Sequence, residues 1–134
     1  MIVLDASAAV DYLLRNEPRC DWVADRILEP RQSLHAPSLV DVEVASALCR
    51  HNRRGLVDQK IAERALGSLA DLRMFRYHHT SLITRMWGLR DNITMTDAAY
   101  VALAQLLDAT LVTTDARLAR AARGKVRIET FDPA

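Results

Sequence analysis

Short apolar segments alternate along the chain with longer segments whose apolar residues recur at helical spacing. Residues 2–4 (Ile-Val-Leu) and residues 110–113 (Thr-Leu-Val-Thr) are brief and rich in β-branched side chains, which is typical of buried strands. In residues 57–72, by contrast, Ile61, Ala65 and Leu69 recur every four positions, which is the stripe of an amphipathic helix. This alternation predicts an α/β fold with a parallel sheet flanked by helices.

Proline and glycine mark where several predicted elements begin and end. Pro18 opens one helix, Pro30 stops it, and Gly55 follows the end of the next helix. The predicted strands cover residues 2–4, 33–36, 74–77, 110–113 and 126–130. The predicted helices cover residues 5–15, 18–29, 37–53, 57–72, 80–90, 94–107 and 115–123. Because no linker or repeat divides the chain, we expect residues 1–134 to form one domain.

Composition limits the classes of protein to which the chain can belong. Half of its 134 residues are apolar, and the formal net charge is only +1, so any basic surface must be local. Cys20 and Cys49 do not form a Cys-x-x-Cys unit, which disfavours a zinc site and predicts two small buried thiols. The first predicted strand leaves no room for a signal peptide, and no apolar run reaches membrane-spanning length. We therefore expect a cytoplasmic protein with no membrane partner.

Two aspartates stand directly after predicted strands. Asp5 follows Ile-Val-Leu, and Asp115 follows Leu-Val-Thr-Thr. Ligands of open parallel sheets bind at the carboxyl ends of the strands, so both side chains are candidates for a single site. Each aspartate also precedes a predicted helix, and Asp is a favoured N-cap residue. For either aspartate alone, helix capping is an equally good interpretation.

Two further carboxylates lie on helix faces that are expected to be buried. Glu43 belongs to a mainly apolar arc of its helix, and a buried carboxylate is costly unless it is paired, coordinated or protonated. A salt bridge to Arg50 is the simpler alternative for Glu43. Asp97 shares a helix face with Tyr100 and Val101, although its position in the first helical turn also suits the helix dipole.

Four carboxylates that meet in one cleft need a compensating charge. Like charges held close together raise each other's pKa and oppose folding, and a divalent cation removes that conflict. Oxygen ligands favour Mg²⁺ or Mn²⁺, and a metal of this kind lowers the pKa of bound water and stabilises a phosphate during in-line displacement. The set therefore predicts phosphodiester hydrolysis; its members are Asp5, Glu43, Asp97 and Asp115.

Four sequence motifs resemble those of PIN-domain ribonucleases, and in particular the VapC toxins of type II toxin–antitoxin pairs. They are M-I-V-L-D-A-S-A, P-S-L-V-D-V-E-V-A-S-A-L, T-D-A-A-Y-V-A-L-A and L-V-T-T-D-A-R-L-A-R-A-A, and they occur in this order. The resemblance implies an α/β/α sandwich and a Mg²⁺- or Mn²⁺-dependent endoribonuclease that acts on tRNA, rRNA or mRNA. It also implies a homodimer and inhibition by a cognate antitoxin.

The same resemblance assigns roles to the four carboxylates. Asp5 and Asp97 match the main metal-binding aspartates of the family, and Glu43 and Asp115 match its other two acidic positions. We expect Asp5, Asp97 and Asp115 to bind the metal directly and Glu43 to act through a water molecule.

Polar residues beside the carboxylates have assigned or open roles. Ser7 and Thr113 match hydroxyl residues that flank the site in the family. Thr96 stands where the family pattern has an aromatic residue, a departure that is expected to affect packing rather than chemistry. Arg50 and Arg117 are candidates for binding the RNA backbone, but a solvated surface or a contact with an acidic antitoxin segment explains them equally well.

Other polar and aromatic residues are expected to take no part in the chemistry. His78 and His79 are adjacent, so their side chains cannot easily reach one ion from a strand. Trp22 and Trp87 are expected in the core or at an interface, and Asp11 is expected to be solvated.

The main alternative function is a catalytically silent PIN-like binding module that works within a protein complex. An inert domain has no reason to hold mutually repelling carboxylates in one cleft, and this favours the nuclease. A phosphatase of the haloacid-dehalogenase type fits less well, because it needs a second aspartate two residues after Asp5, where this chain has Ser7.

Overall fold

The fold is centred on one parallel sheet. The computed structural model describes residues 1–133, and in that range the sheet has five strands in the order β3-β2-β1-β4-β5. The strands are β1 (Ile2–Leu4), β2 (Leu34–Pro37), β3 (Met74–Tyr77), β4 (Thr110–Thr113) and β5 (Ile128–Thr130). Every pairing between neighbouring strands is parallel. The predicted α/β fold with a parallel sheet is therefore confirmed.

The helices lie close to their predicted bounds. They are α1 (Ala6–Leu13), α2 (Arg19–Ile27), α3 (Leu39–Arg53), α4 (Gln59–Asp71), α5 (Ile83–Gly88), α6 (Met95–Leu107) and α7 (Ala116–Ala122). The helix predicted over residues 80–90 is instead a 3₁₀ turn, Thr80–Leu82, followed by the short α5. The last strand begins at Ile128 rather than at residue 126, because Val126 forms only an isolated bridge with Arg123.

Local chemistry explains several of these bounds. The Asp58 carboxylate accepts a hydrogen bond from the Ile61 backbone N–H at 2.9 Å and so caps α4. The hydroxyl of Thr94 accepts one from the Asp97 N–H at 3.4 Å and caps α6. Gly55, with φ of +73°, occupies the left-handed region just beyond α3, where a side chain would be strained.

The core forms between the sheet and the helices that pack on it. Strand β1 is buried at every residue and pairs with β2 on one side and β4 on the other. Helix α6 packs on β1, β2 and β4, and it is buried without interruption from Ala98 to Ala104. Small alanines allow α6 to approach the sheet closely, which fixes the start of α6 near the carboxyl ends of the central strands.

The two cysteines differ in their environment. Cys20 on α2 is buried as predicted, whereas the prediction of a buried Cys49 is wrong, because that residue is exposed. Helix α3 buries the line formed by Val40, Val44 and Leu48, and Cys49 is turned about 100° away from that line. In the described part of the chain, no helix combines the length and apolar character that crossing a membrane requires.

Candidate active site

The predicted carboxylates meet in one pocket at the carboxyl edge of the sheet. This pocket has a volume of about 680 Å³, and its walls come from the ends of β1 and β4 and from helices α1, α2, α3, α6 and α7. All four predicted acidic residues line it, namely Asp5, Glu43, Asp97 and Asp115. The structure therefore places at a single location side chains that are up to 110 residues apart in sequence.

Asp5 is the most deeply buried of the four. Its exposed fraction is only 5%, and it occupies the N-cap position of α1 without accepting a capping hydrogen bond. Instead its Oδ2 accepts hydrogen bonds from the hydroxyls of Ser7 at 2.5 Å and Thr113 at 2.8 Å. The capping interpretation therefore fails for Asp5. The two hydroxyls orient the carboxylate through Oδ2, and Oδ1 accepts no hydrogen bond from the residues that the structure describes.

The hydroxyls of Ser7 and Thr113 also join the two strand ends to each other. Their oxygens lie 3.2 Å apart, and the backbone N–H of Thr114 donates to Ser7 Oγ at 3.3 Å. The backbone N–H of Asp115 donates to Thr113 Oγ1 at 2.9 Å. A continuous hydrogen-bond network thus runs from the end of β1 to the start of α7.

Glu43 has a different partner from the one considered in the sequence. The hydroxyl of Tyr100, a fully buried residue on α6, donates a hydrogen bond of 2.6 Å to Glu43 Oε1. The salt bridge between Glu43 and Arg50 does not form. Arg50 lies at an exposed position near the end of α3. As with Asp5, a neutral hydroxyl fixes one oxygen of the carboxylate. The other oxygen accepts no hydrogen bond from the described residues.

Asp97 and Asp115 are held by a shared arginine. Arg117 Nη2 lies 3.0 Å from Asp97 Oδ2 and 3.3 Å from Asp115 Oδ2. The other oxygen of Asp115, Oδ1, accepts hydrogen bonds from the backbone N–H groups of Arg117 at 2.9 Å and Leu118 at 3.3 Å. Asp115 is therefore an N-cap of α7 as well as a pocket carboxylate, and the capping interpretation holds for this residue.

Burial and mutual repulsion change the acidity of the two inner carboxyl groups. Burial raises the pKa of Asp5, and the nearby charges of Asp97 and Asp115 add to the rise against the opposing hydroxyl hydrogen bonds. Burial likewise raises the pKa of Glu43, with Asp5 and Asp97 adding to it and the Tyr100 hydrogen bond opposing it. Both shifts follow from placing carboxyl groups in a buried pocket beside other carboxylates.

Several pocket residues were missed or misjudged from the sequence. Asp11 is not solvated, because its side chain is only 18% exposed and accepts a 2.7 Å hydrogen bond from the Thr114 hydroxyl. Its position one helical turn after Ser7 was a usable signal. Arg19 and His51 also line the pocket. His51 lies eight residues after Glu43 on the same face of α3, whereas no local pattern marks Arg19, which packing between helices brings there. Thr96, the departure from the family pattern, lies at the rim.

The charges lining the pocket suit a divalent cation. Five carboxyl groups and three guanidinium groups line it, which leaves an excess of two negative charges when all are ionised and His51 is neutral. The donor atoms are oxygens, which Mg²⁺ and Mn²⁺ prefer. The uncommitted oxygens of Asp5 and Glu43, each oriented by a neighbouring hydroxyl, match the outer support that metal ligands need. The residues present therefore fit such an ion.

The carboxylates are not packed as tightly as a fully dehydrated ion would require. Within residues 1–133, the set of ligand-type side chains whose donor atoms all lie within 4.8 Å is Glu17, Cys20 and Asp21, at the surface near the start of α2. In the pocket, Arg117 contacts both Asp97 and Asp115 through one nitrogen, Nη2. Such spacing suits an ion that keeps several of its own waters, as Mg²⁺ does.

The sequence and the fold assign the chain to a known family. Residues 2–124 match the PIN domain, so the chain belongs to the PIN-domain family. It is 42% identical over 120 residues to Ribonuclease VapC3 of Mycobacterium tuberculosis, covering 90% of this chain and 86% of the relative. Ribonuclease VapC9 of the same organism is 41% identical over 118 residues, 88% of each chain. The resemblance to VapC-type PIN ribonucleases is thereby confirmed.

Solved structures with the same fold include further proteins of this type. VapC20 of Mycobacterium tuberculosis, described as a Sarcin-Ricin loop cleaving toxin, has a TM-score of 0.69 at 16% identity, covering 95% of this chain and 99% of that one. VapBC2 of Rickettsia felis, bound to a DNA fragment from its promoter, has a TM-score of 0.71 at 16% identity, covering 98% and 100%. At these identities the likeness establishes the fold alone.

Proposed function

We propose that the protein is a Mg²⁺- or Mn²⁺-dependent endoribonuclease that acts as the toxin of a toxin–antitoxin pair. The observation that carries this proposal is the meeting of Asp5, Glu43, Asp97 and Asp115 in one pocket at the carboxyl edge of the sheet. Relatives at 41–42% identity that are named VapC ribonucleases support the same activity. The reaction is hydrolysis of a phosphodiester bond in tRNA, rRNA or mRNA.

Three of the carboxylates are proposed to hold the metal. Asp5 offers Oδ1, because its Oδ2 is occupied by two hydroxyls. Asp97 offers its Oδ1, whereas Asp115 must give up its contact with Arg117 to release Oδ2. When bound, Mg²⁺ or Mn²⁺ supplies charge stabilisation at the phosphate and a lower pKa for water.

Glu43 is proposed to orient the attacking water. The Tyr100 hydrogen bond fixes Oε1, so Oε2 accepts a hydrogen bond from the water and draws its proton away as the oxygen adds to phosphorus. The bond from phosphorus to the leaving ribose oxygen breaks, and that oxygen takes a proton from solvent. The burial that raises the pKa of Glu43 also makes it a stronger proton acceptor than an exposed glutamate.

Two arginines are proposed to bind the RNA backbone. Arg117 lies at the carboxylates with 61% of its side chain exposed, so it is able to turn towards a phosphate when a metal replaces it between Asp97 and Asp115. Arg50 lies farther along α3 on the wall of the same pocket. Both contacts would position the strand without selecting its sequence.

Two protein partners complete the proposal. A cognate antitoxin is supported by the solved structures titled as VapBC2 of Rickettsia felis and FitAcB of Neisseria gonorrhoeae, which share the fold. A homodimer is supported by an exposed apolar pair on α5, Ile83 and Trp87, which lie one helical turn apart with exposed fractions of 49% and 62%.

Cleavage by purified protein tests the proposal directly. We expect the wild-type chain to cleave bacterial RNA in the presence of Mg²⁺, and we expect EDTA to stop the cleavage. The Asp97→Asn variant should cleave more than about 100-fold more slowly. Asp91→Asn, an exposed acid outside the pocket, is the matched control and should cleave normally. A wild-type chain that is folded, binds Mg²⁺ and leaves RNA intact would instead establish the silent binding module.

A further inference from the structure

The pocket extends along α3 well beyond the carboxylates. Glu43, Ala47, Arg50 and His51 all line it, and their spacing places them on one face of the helix. His51 is eight residues beyond Glu43, which corresponds to about 12 Å along the helix axis. A ligand group bound beside His51 is therefore distinct from the phosphodiester that is cleaved beside Glu43, although both lie in the same cavity.

His51 carries a polar atom that lacks a partner. Its Nδ1 is buried, and no hydrogen-bond partner for it exists among residues 1–133. The other ring nitrogen, Nε2, is neither buried nor hydrogen-bonded within that range, so Nε2 is the atom of His51 that is open to a ligand in the pocket. Its spacing from Glu43 separates His51 from Arg53 and Arg54, which do not line the pocket.

Arg50 stands beside His51 with its charge uncompensated. It is exposed, and it forms no ion pair within the described chain, whereas Arg117 is engaged by Asp97 and Asp115. A free guanidinium and an unsatisfied imidazole on the same helical turn together present N–H donors and positive charge. A phosphate oxygen satisfies both groups at once.

We propose that Arg50 and His51 form a subsite for a phosphate of the RNA strand about two nucleotides from the cleavage point. This inference rests on the proposed ribonuclease function and adds His51 as a positioning residue. The strand would run along α3, with the scissile phosphate at Glu43 and a flanking phosphate at His51. Holding the strand at two points about 12 Å apart fixes its direction through the pocket.

The test measures RNA affinity separately from cleavage. The probe is a fluorescein-labelled RNA 12-mer of random sequence, titrated in EDTA and low salt and followed by fluorescence anisotropy. We expect His51→Phe, which keeps the ring volume, to raise Kd about 3- to 10-fold, and His51→Gln, which keeps a side-chain donor, to remain within about twofold of wild type. Arg50→Ala should raise Kd and reduce the slope of log K against log salt by about 0.7.

Arg73→Ala is the matched control, because Arg73 is exposed at the amino end of β3, away from this pocket, and its Kd and salt slope should match wild type. Wild-type cleavage of RNA with Mg²⁺ is measured in parallel. If the wild type cleaves RNA while either His51→Phe or Arg50→Ala binds the 12-mer as tightly as wild type, the subsite is wrong and a protein contact becomes the better explanation. A wild type that cleaves but does not bind the 12-mer overturns the subsite too. Failure of the wild type to cleave at all refutes the proposed function itself.

Discussion

The Tyr100 hydroxyl and the Glu43 carboxylate are joined by a 2.6 Å hydrogen bond that connects α6 to α3 across the pocket. Tyr100 is fully buried, and its own pKa is raised by burial and by the negative charge of Glu43, so its hydroxyl remains a proton donor under all ordinary conditions. The pair thus fixes one oxygen of Glu43 permanently. The position of Glu43 depends on the packing of two helices that are far apart in sequence.

Removing this hydroxyl should affect both rate and pH dependence. Tyr100→Phe deletes a hydrogen bond that lowers the pKa of Glu43, so that pKa should rise further. Because Glu43 accepts a proton in the proposed reaction, the acidic limb of the rate profile should move to higher pH, and the rate on that limb should fall by about tenfold for each pH unit of the move. The free energy of unfolding should fall by about 1–3 kcal/mol.

The measurement is a pH–rate profile together with urea denaturation. Tyr12→Phe is the matched control, because Tyr12 is half-buried outside this pocket and should give a wild-type profile. A Tyr100→Phe profile that coincides with wild type would show that Glu43 does not take the proton.

Asp5 should make the stability of the metal-free protein depend on pH. Its pKa in the folded state is raised above the unfolded value, so protonation stabilises the folded protein, and that stability is lost as pH rises through the folded pKa. Asp5→Asn removes the penalty. In EDTA we expect the variant to melt several degrees above wild type at pH 7, with the difference disappearing below about pH 4, near the unfolded pKa of Asp.

Adding Mg²⁺ should reverse that order. A cation that binds only the folded wild type adds about 2.7 kcal/mol of stability at 100 times its Kd, whereas Asp5→Asn should gain much less. Melting temperature followed by circular dichroism measures both effects. Equal Mg²⁺ stabilisation of the two proteins would exclude Asp5 as a ligand.

Arg117 should compete with the metal. Its guanidinium contacts both Asp97 and Asp115, whose charges raise its pKa and keep it ionised. Arg117→Ala should therefore tighten Mg²⁺ binding by up to about fivefold, a modest gain because the ion pairs are partly exposed. The same variant should bind RNA more weakly.

Isothermal titration with Mg²⁺ measures the first effect. Arg120→Ala, exposed on the same helix and outside the pocket, is the control. Weaker Mg²⁺ binding by Arg117→Ala would indicate that this arginine supports the carboxylates rather than competing for them.

The exposed face of α5 should control self-association. If Ile83 and Trp87 form the core of a homodimer contact, Ile83→Ser and Trp87→Ser should each shift the protein towards monomer in sedimentation equilibrium. Leu28→Ser, which alters a residue with 63% exposure at the end of α2, should leave the mass unchanged. A wild-type protein that sediments as a monomer at all concentrations would rule out the dimer.

The sequence predicted the strand-end part of the site better than the helical part. Asp5 and Asp115 follow short apolar runs, and in a parallel sheet the carboxyl ends of neighbouring strands must meet at one edge. That rule needs no knowledge of helix packing. Predicting the partner of Glu43 does require knowledge of helix packing, because Tyr100 reaches Glu43 only through the packing of α6 against α3. A salt bridge to Arg50 is the simpler alternative that the sequence offers for Glu43, but tertiary packing supplies the Tyr100 hydroxyl instead.

Arg19 shows the same limit. It follows Pro18 at the start of α2 with no spacing that relates it to the other pocket residues, and only the packing of helices around the sheet edge brings it there. Asp11 differs, because it lies one helical turn after Ser7. Helical periodicity in the sequence therefore places both residues on the same face. Local patterns thus mark residues that share a helix face or a strand end, whereas residues that become neighbours by packing remain hidden.

The hydrogen bond between Asp5 and Thr113 has a consequence for when the pocket forms during protein synthesis. The two residues are 108 positions apart, and they meet only when β4 pairs with β1. A growing chain on the ribosome has already exposed its first aspartate, yet it has no pocket until the segment containing β4 has emerged and entered the sheet. A prematurely terminated product that lacks this segment would have neither Thr113 nor Asp115, and so would lack a complete pocket.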